Sequence, residues 1–364
     1  MGKPLSIENL VRWVDTRLDL SGYKKVAEKK VVPVHRQSFW YYLGGIVLLI
    51  IVVQFVTGAL LMVYYVPEVK SAHRSILALN SQVDFGWFMR SFHSWGANLM
   101  ILALFFHLFS TYFMKAYRPP REMTWWTGLA LFGLAYGFGF TGYLLPWDQV
   151  SFFATKIGID IAATTPVLGD QIALLLRGGE TISQATLSRF FTIHVIVLPL
   201  LLLPLLGIHL FLVQQLGTSE PEWFQNRRPE GKIYEKFFPD FLLKDFVGWV
   251  ATLGVIAILV ALFPWQLGPE AQPFMPAPAG IKPEWYFLYL FQLLKLLPGH
   301  IGPIEGEVAG TMLFGLVVLS LALIPLWDRG GDSGTMARRG KLASIYGLIL
   351  VILFVILTIW GFVA

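Results

Sequence analysis

The chain has 364 residues, of which 55% are hydrophobic and only 14% charged, with 28 Lys and Arg against 23 Asp and Glu. So few charges, gathered between long apolar runs, exclude an ordinary soluble domain and indicate an integral membrane protein. Cysteine is absent, which excludes disulfides, Cys-ligated iron–sulfur clusters and covalently attached c-type haem.

The opening Met1-Gly2-Lys3-Pro4 leads into a polar stretch without the apolar run and cleavage site of a secretory signal, so no cleaved leader is expected. Residues 1–37 form an N-terminal surface segment. Within it Ile7, Leu10, Val11, Val14 and Leu18 recur at helical spacing between Arg12, Asp15 and Arg17. That pattern predicts a helix lying on the membrane surface, with a disordered tail as the alternative. Seven runs are long enough to span about 30 Å of hydrocarbon as helices. They cover 38–66, 87–114, 123–146, 190–216, 246–263, 309–327 and 342–363, and Arg90 is the one charge inside them. The apolar segment 285–297 is short and carries Lys295, so it reads as an interfacial helix. The fold class is therefore all-α integral membrane with about seven spans. A four-helix N-terminal unit (38–217) and a three-helix C-terminal unit (246–364) are joined by a charged linker (218–245).

Lys and Arg in the connecting segments fix the expected orientation. With the N-terminus in the cytoplasm, the cytoplasmic side carries 20 of them and the outer side 7. The asymmetry explains the positive net charge without nucleic acid.

The second run carries His93 and His107, fourteen residues apart, and the fourth carries His194 and His209, fifteen apart. At about 1.5 Å per residue and 3.6 residues per turn, each pair spans roughly 21–23 Å on broadly one helix face. Both helices run from outside to inside. His93 therefore pairs with His194 at an outer level, and His107 with His209 at an inner level. Neutral imidazoles are good axial ligands for haem iron, and two per metal leave no open position, a design for carrying electrons. The alternative is four separately hydrogen-bonded core histidines. Gly44 and Gly58 in the first run, and Gly128 and Gly142 in the third, repeat the fourteen-residue spacing at the same two levels. A residue without a side chain lets a flat macrocycle approach the backbone; small-residue helix packing is the alternative. Arg90 would pair with a haem propionate or snorkel to the interface. Glu284, in Pro283-Glu284-Trp285-Tyr286, precedes an apolar segment and is either a desolvated proton carrier or a helix cap. Gly142-Tyr143-Leu144-Leu145-Pro146-Trp147 ends the third run on the same outer side.

Taken in order, the paired histidines, the spaced glycines, Gly-Tyr-Leu-Leu-Pro-Trp, Thr186-Leu187-Ser188-Arg189-Phe190 and Pro-Glu-Trp-Tyr resemble cytochrome b, the membrane core of the quinol-oxidising bc complexes. The resemblance runs over essentially the whole chain. It implies two non-covalent b haems, a quinol oxidised at an outer site bounded by Tyr143 and Glu284, and a quinone reduced at an inner site near Lys244 and Asp245. It implies one electron passing to a Rieske iron–sulfur protein and the other through the outer and inner haems. Other implied partners are a c-type cytochrome subunit, membrane lipid and a second copy of the complex, in a bacterial cytoplasmic membrane. The respiratory type has fourteen-residue spacing in both pairs and eight helices. The photosynthetic type has fourteen and fifteen, with the chain divided in two. This sequence has fourteen and fifteen, seven helices and no division, so it resembles a fused bacterial form. Tyr42 stands where the photosynthetic type anchors an additional haem through cysteine, and Gln214 stands where the respiratory type has a quinone-site histidine. Two other functions share some of these features: a dihaem quinone-reactive anchor of a dehydrogenase, and a haem-free transporter that moves protons on its histidines.

Overall fold

The computed structural model describes residues 6–19, 29–225, 231–331 and 334–364. The expectation for Met1–Pro4, and parts of those for the surface segment and the linker, lie outside these residues. Helix α1 (Ile7–Leu18) starts at Ser6, whose side chain accepts from the Asn9 amide, and buries none of its residues. Ile7, Leu10, Val11 and Leu18 are all exposed, the arrangement expected of a helix whose apolar stripe meets something other than its own chain.

Six helices among the described residues are long and apolar enough to cross a membrane: α2 (Ser38–Met62), α4 (Gly86–Phe113), α8 (Gln184–Leu216), α9 (Phe237–Leu262), α11 (Gly306–Trp327) and α12 (Gly334–Val363). The expected seventh, α5 (Glu122–Tyr143), is a continuous helix of 22 residues, about 33 Å at about 1.5 Å per residue. Its glycines, threonines, tryptophans and tyrosines dilute its apolarity, and several of those residues serve the site described below. Outward-facing leucines, isoleucines and valines cover these helices, as suits a helix that is apolar all round.

Helices α2 and α4 pack side by side, as do α5 and α8; α9 lies against α2 and α4, α11 against α5, and α12 against α4. Lipid is as apolar as leucine, so helix association here depends on close packing and polar contacts. The tryptophans of α5 show how. Pro325 inside α11 has no N–H to offer the Leu321 carbonyl four residues earlier. The indole N–H of Trp125 takes that carbonyl at 2.8 Å, and Trp126 donates to the adjacent Ala322 carbonyl at 2.7 Å.

One end of the bundle carries a compact, soluble-like cap. Short helices α3 (Ala72–Gln82), α6 (Gln149–Ala163) and α7 (Gly169–Arg177) lie there. Leu144, Trp147, Ile159, Leu187 and Phe190 form its core, each at most 1% exposed. Side chains of this size contribute roughly 1.5–3 kcal/mol each when withdrawn from water. The segment after α9 is sewn onto this cap. Trp95 donates to the Phe263 carbonyl, the Ser91 hydroxyl accepts from the Trp265 amide, and Ala271 and Gln149 exchange backbone bonds with Trp147 and Pro269. The strap leads into α10 (Trp285–Leu296), a 12-residue helix too short to span the hydrocarbon layer. At the other end, β1 (Val31–Val34) pairs antiparallel with β2 (Ile233–Lys236). The charged linker is thus anchored to the N-terminal segment rather than left as a free tether.

Candidate functional site

Four helices converge on two layers. At one level His93 of α4 and His194 of α8 face each other with ring centroids 6.5 Å apart. Two metal–nitrogen bonds of about 2 Å, plus roughly 1 Å from each nitrogen to its ring centre, give about 6 Å. The gap has the size of one metal atom between two imidazoles. At the other level His107 of α4 and His209 of α8 stand against Gly44 and Gly128.

Each imidazole rests on a glycine of the neighbouring helix. A methyl group built on Gly58 would stand 3.3 Å from His93 Cε1, and one on Gly142 only 2.6 Å from His194 Cε1. On Gly128 it would stand 3.3 Å from His209 Cε1, and on Gly44 3.5 Å from His107 Cε1. So Gly58 and Gly142 share the His93–His194 level, and Gly44 and Gly128 the other, the grouping expected from helix direction.

The fifteen-residue spacing has a local cause. Residues Ile193–Val197 form one π-turn, in which the Leu198 amide donates to the Ile193 carbonyl five residues back. A π-turn takes up one extra residue without changing the face of the helix beyond it. Pro199 sits just past the turn, where its ring would collide with the Val195 carbonyl in a regular α-helix. His194 and His209 therefore meet the same neighbouring helix, α5.

Threonines hold three of the rings. His93 Nδ1 lies 2.8 Å from Thr57 Oγ1, His209 Nδ1 2.9 Å from Thr127 Oγ1, and His194 Nδ1 3.2 Å from Thr141 Oγ1. Each hydroxyl donates its own hydrogen one turn back, to the carbonyls of Val53, Met123 and Gly137 respectively. The oxygens are left to accept, so in the Nδ1–H tautomer each ring donates to its threonine, His194 and His209 also to the Phe138 and Thr124 carbonyls, and the unprotonated Nε2 is free for a metal. His107 Nδ1 is buried with no partner among the described residues. The sequence carries the signal for this arrangement, Thr-Gly at 57–58, 127–128 and 141–142, beyond the spacing of the histidines and glycines.

A cavity of about 340 Å³ adjoins the first level and is lined by His93, His194, Arg90, Tyr143, Asp148 and Glu284. Arg90 is only 5% exposed and donates to the Trp265 and Gln266 carbonyls at 2.8 and 3.1 Å. It clamps the strap and does not extend to an interface. Glu284 precedes α10 and makes no side-chain cap. Burial first, and the nearby Asp148 carboxylate second, push its pKa up to about 7. Trp285 is fixed by an indole bond to Asn98 Oδ1 at 2.8 Å, which ties the Pro-Glu-Trp-Tyr segment to the helix of His93.

The three residues expected at a second quinone site have different surroundings. Asp245 is buried, its carboxylate lodged against Gly45 of α2 and its Oδ1 without a partner among the described residues. Lys244 points outward to an ion pair with Glu235. Gln214 is exposed, and its carbonyl accepts from Lys30.

The sequence profile described as "Cytochrome b/b6/petB" matches residues 28–217, more than half of the chain. This chain belongs to the cytochrome b family. A second profile, "Cytochrome b(C-terminal)/b6/petD", matches residues 270–364, so both halves lie in one polypeptide. The chain is 44% identical over 322 residues to the cytochrome bc complex cytochrome b subunit of Chlorobaculum thiosulfatiphilum, covering 88% of this chain and 73% of that one. It is 41% identical over 222 residues to the menaquinol:cytochrome c reductase cytochrome b subunit of Geobacillus thermodenitrificans, covering 59% and 99%. A chain of a hyperthermophilic respiratory Complex III superimposes with a TM-score of 0.78 at 26% identity, covering 97% of this chain and 99% of that one. The family implies b haems. The residues fit them: His93 and His194 opposed at a metal-sized separation, His107 and His209 at a second level, a threonine hydroxyl beside three of the Nδ1 atoms, and a glycine behind every ring.

Proposed function

We propose that this chain is the membrane redox subunit of a bacterial bc-type quinol:cytochrome c oxidoreductase. The observation that carries the reading is the metal-sized separation of His93 and His194 beside a cavity that also holds Glu284 and Tyr143. Two b haems, held by His93 with His194 and by His107 with His209, supply when bound a one-electron path across the membrane to a quinone, the second electron of quinol leaving to a Rieske iron–sulfur partner. Arg90 supplies positive charge to the same cavity for a carboxylate of the macrocycle. Tyr143 and Glu284 orient the quinol, whose hydroxyl gives its proton to the Glu284 carboxylate; a carboxylate titrating near neutrality suits that exchange.

Seven spans, with the N-terminus cytoplasmic, put this cavity on the outer side and Asp245, Lys244 and Gln214 on the inner. Asp245, buried and incompletely bonded, is the group best placed there to deliver a proton to reduced quinone. A c-type cytochrome subunit, a second copy of the complex and lipid against α1 complete the assembly. Mild-detergent purification tests the reading: two b-type haems per chain and a co-purifying Rieske protein are expected. One haem per chain, or none, would overturn it.

A further inference from the structure

The four ligand histidines are not held alike. On three of the four helix crossings the residue before the cradle glycine is a threonine, and its hydroxyl oxygen lies 2.8–3.2 Å from the ring Nδ1, placed to accept its hydrogen: Thr57 for His93, Thr141 for His194, Thr127 for His209. On the fourth, the residue before Gly44 is Leu43. The backbone approach there is the same, since a methyl group on Gly44 would lie 3.5 Å from His107 Cε1, against 3.3 Å at Gly58 and Gly128. What differs is the side chain one position earlier, and His107 Nδ1 is buried with no partner among the described residues.

A ring whose Nδ1–H is accepted by an oxygen donates more electron density through Nε2, which favours the oxidised metal and lowers its potential. The level of His93 and His194 has two such rings, and the level of His107 and His209 has one. We infer that Leu43 is a potential-setting residue: by withholding a hydroxyl from His107 it keeps the inner haem at a higher potential than the outer, so electrons run downhill inward. The inference rests on the haem reading above and goes beyond it in assigning the gap to one side chain.

The test is an optical redox titration of the intact complex carrying Leu43→Thr, with Leu43→Val as a control of similar shape. Leu43→Thr is expected to shift the inner-haem midpoint downward and narrow the gap, leaving the outer midpoint unmoved; Leu43→Val is expected to leave both in place. Thr57→Val supplies an independent arm and is expected to move the outer midpoint upward. The inference is overturned if both haems are bound and Leu43→Thr leaves the inner midpoint where it was, or moves it no further than Leu43→Val. It is equally overturned if Thr57→Val leaves the outer midpoint unmoved. Absence of b-haem absorbance from the parent complex would instead remove the haem reading itself.

Discussion

His194 and His209 stand fifteen residues apart on α8, yet they face Gly142 and Gly128, which stand fourteen apart on α5. The π-turn at Ile193–Val197 takes up the difference. Deleting Ile196 together with Pro199→Ala should restore a regular helix and leave both b haems in place, read from the reduced-minus-oxidised spectrum. Deleting Leu102, between His93 and His107, removes a residue from a helix with no turn to absorb the loss. It should turn one of those rings off its layer and abolish at least one haem. Loss of haem from the first variant would show that the π-turn is more than an accommodated extra residue.

The glycines give a graded series. A methyl group at Gly142 meets His194 Cε1 at 2.6 Å, whereas at Gly44 it meets His107 at 3.5 Å, ordinary van der Waals contact. Overpacking of the first kind costs about 1–3 kcal/mol. Gly142→Ala should therefore loosen the haem at the His93–His194 level most, with Gly58→Ala and Gly128→Ala intermediate. On ring clearance alone Gly44→Ala should be mildest. Haem-to-protein ratios after detergent washing measure the order. Equal losses at all four positions would mean that clearance for the macrocycle, rather than for the imidazole, dominates.

Glu284 titrates near pH 7, because burial and the Asp148 carboxylate favour its neutral form. A proton acceptor must be ionised, so quinol oxidation should rise with pH through that region and level off above it. Glu284→Gln should lower the rate at least tenfold and remove that limb of the profile. The sign for stability is opposite. The folded state binds more protons than the unfolded between the ordinary carboxylate range and about pH 7, so this group's contribution falls as pH rises through that window. Above it, Glu284→Gln should be at least as heat-resistant as the parent. A pH profile unchanged by the substitution would remove Glu284 from the proton path.

Much of this arrangement is legible in the sequence because it is periodic. One histidine pair and two glycine pairs share a fourteen-residue spacing, the second histidine pair departs from it by one residue, and alternating helix direction groups them into two levels. The Thr-Gly repeats were equally legible. The strap was not, because Arg90, Ser91 and Trp95 bind it through the backbone of residues 263–266, which leaves no side-chain signature. Helix α5 illustrates a different limit. Its length was readable, but ring clearance and indole tethers require residues that dilute its apolarity. Lys244 and Asp245, adjacent in sequence, point to different surroundings because successive helical residues lie about 100° apart.

The two halves of the chain are joined by contacts of unequal weight. Asp328, at the end of α11, is 0% exposed. It accepts from the Tyr117 hydroxyl at 2.7 Å and from Arg118 at 3.0 Å, with Lys115 at 3.7 Å. Arg118 also pairs with Glu222, which is 48% exposed. Removing the buried carboxylate leaves Arg118 only Glu222 and Lys115 only the Gly340 carbonyl, so Asp328→Asn should cost about 3 kcal/mol, the low end for breaking a buried pair. Glu222→Gln should cost about 0–1 kcal/mol, because solvent screens that pair and Arg118 keeps Asp328. Trp125→Phe leaves the Leu321 carbonyl without its donor and should cost about 0.6 kcal/mol, the average for polar contacts between helices in a membrane. Thermal unfolding in detergent, followed by haem release, should rank Asp328→Asn far below the other two. If Glu222→Gln proved the most damaging, the junction would depend on the exposed pair, and the buried carboxylate would be a bystander.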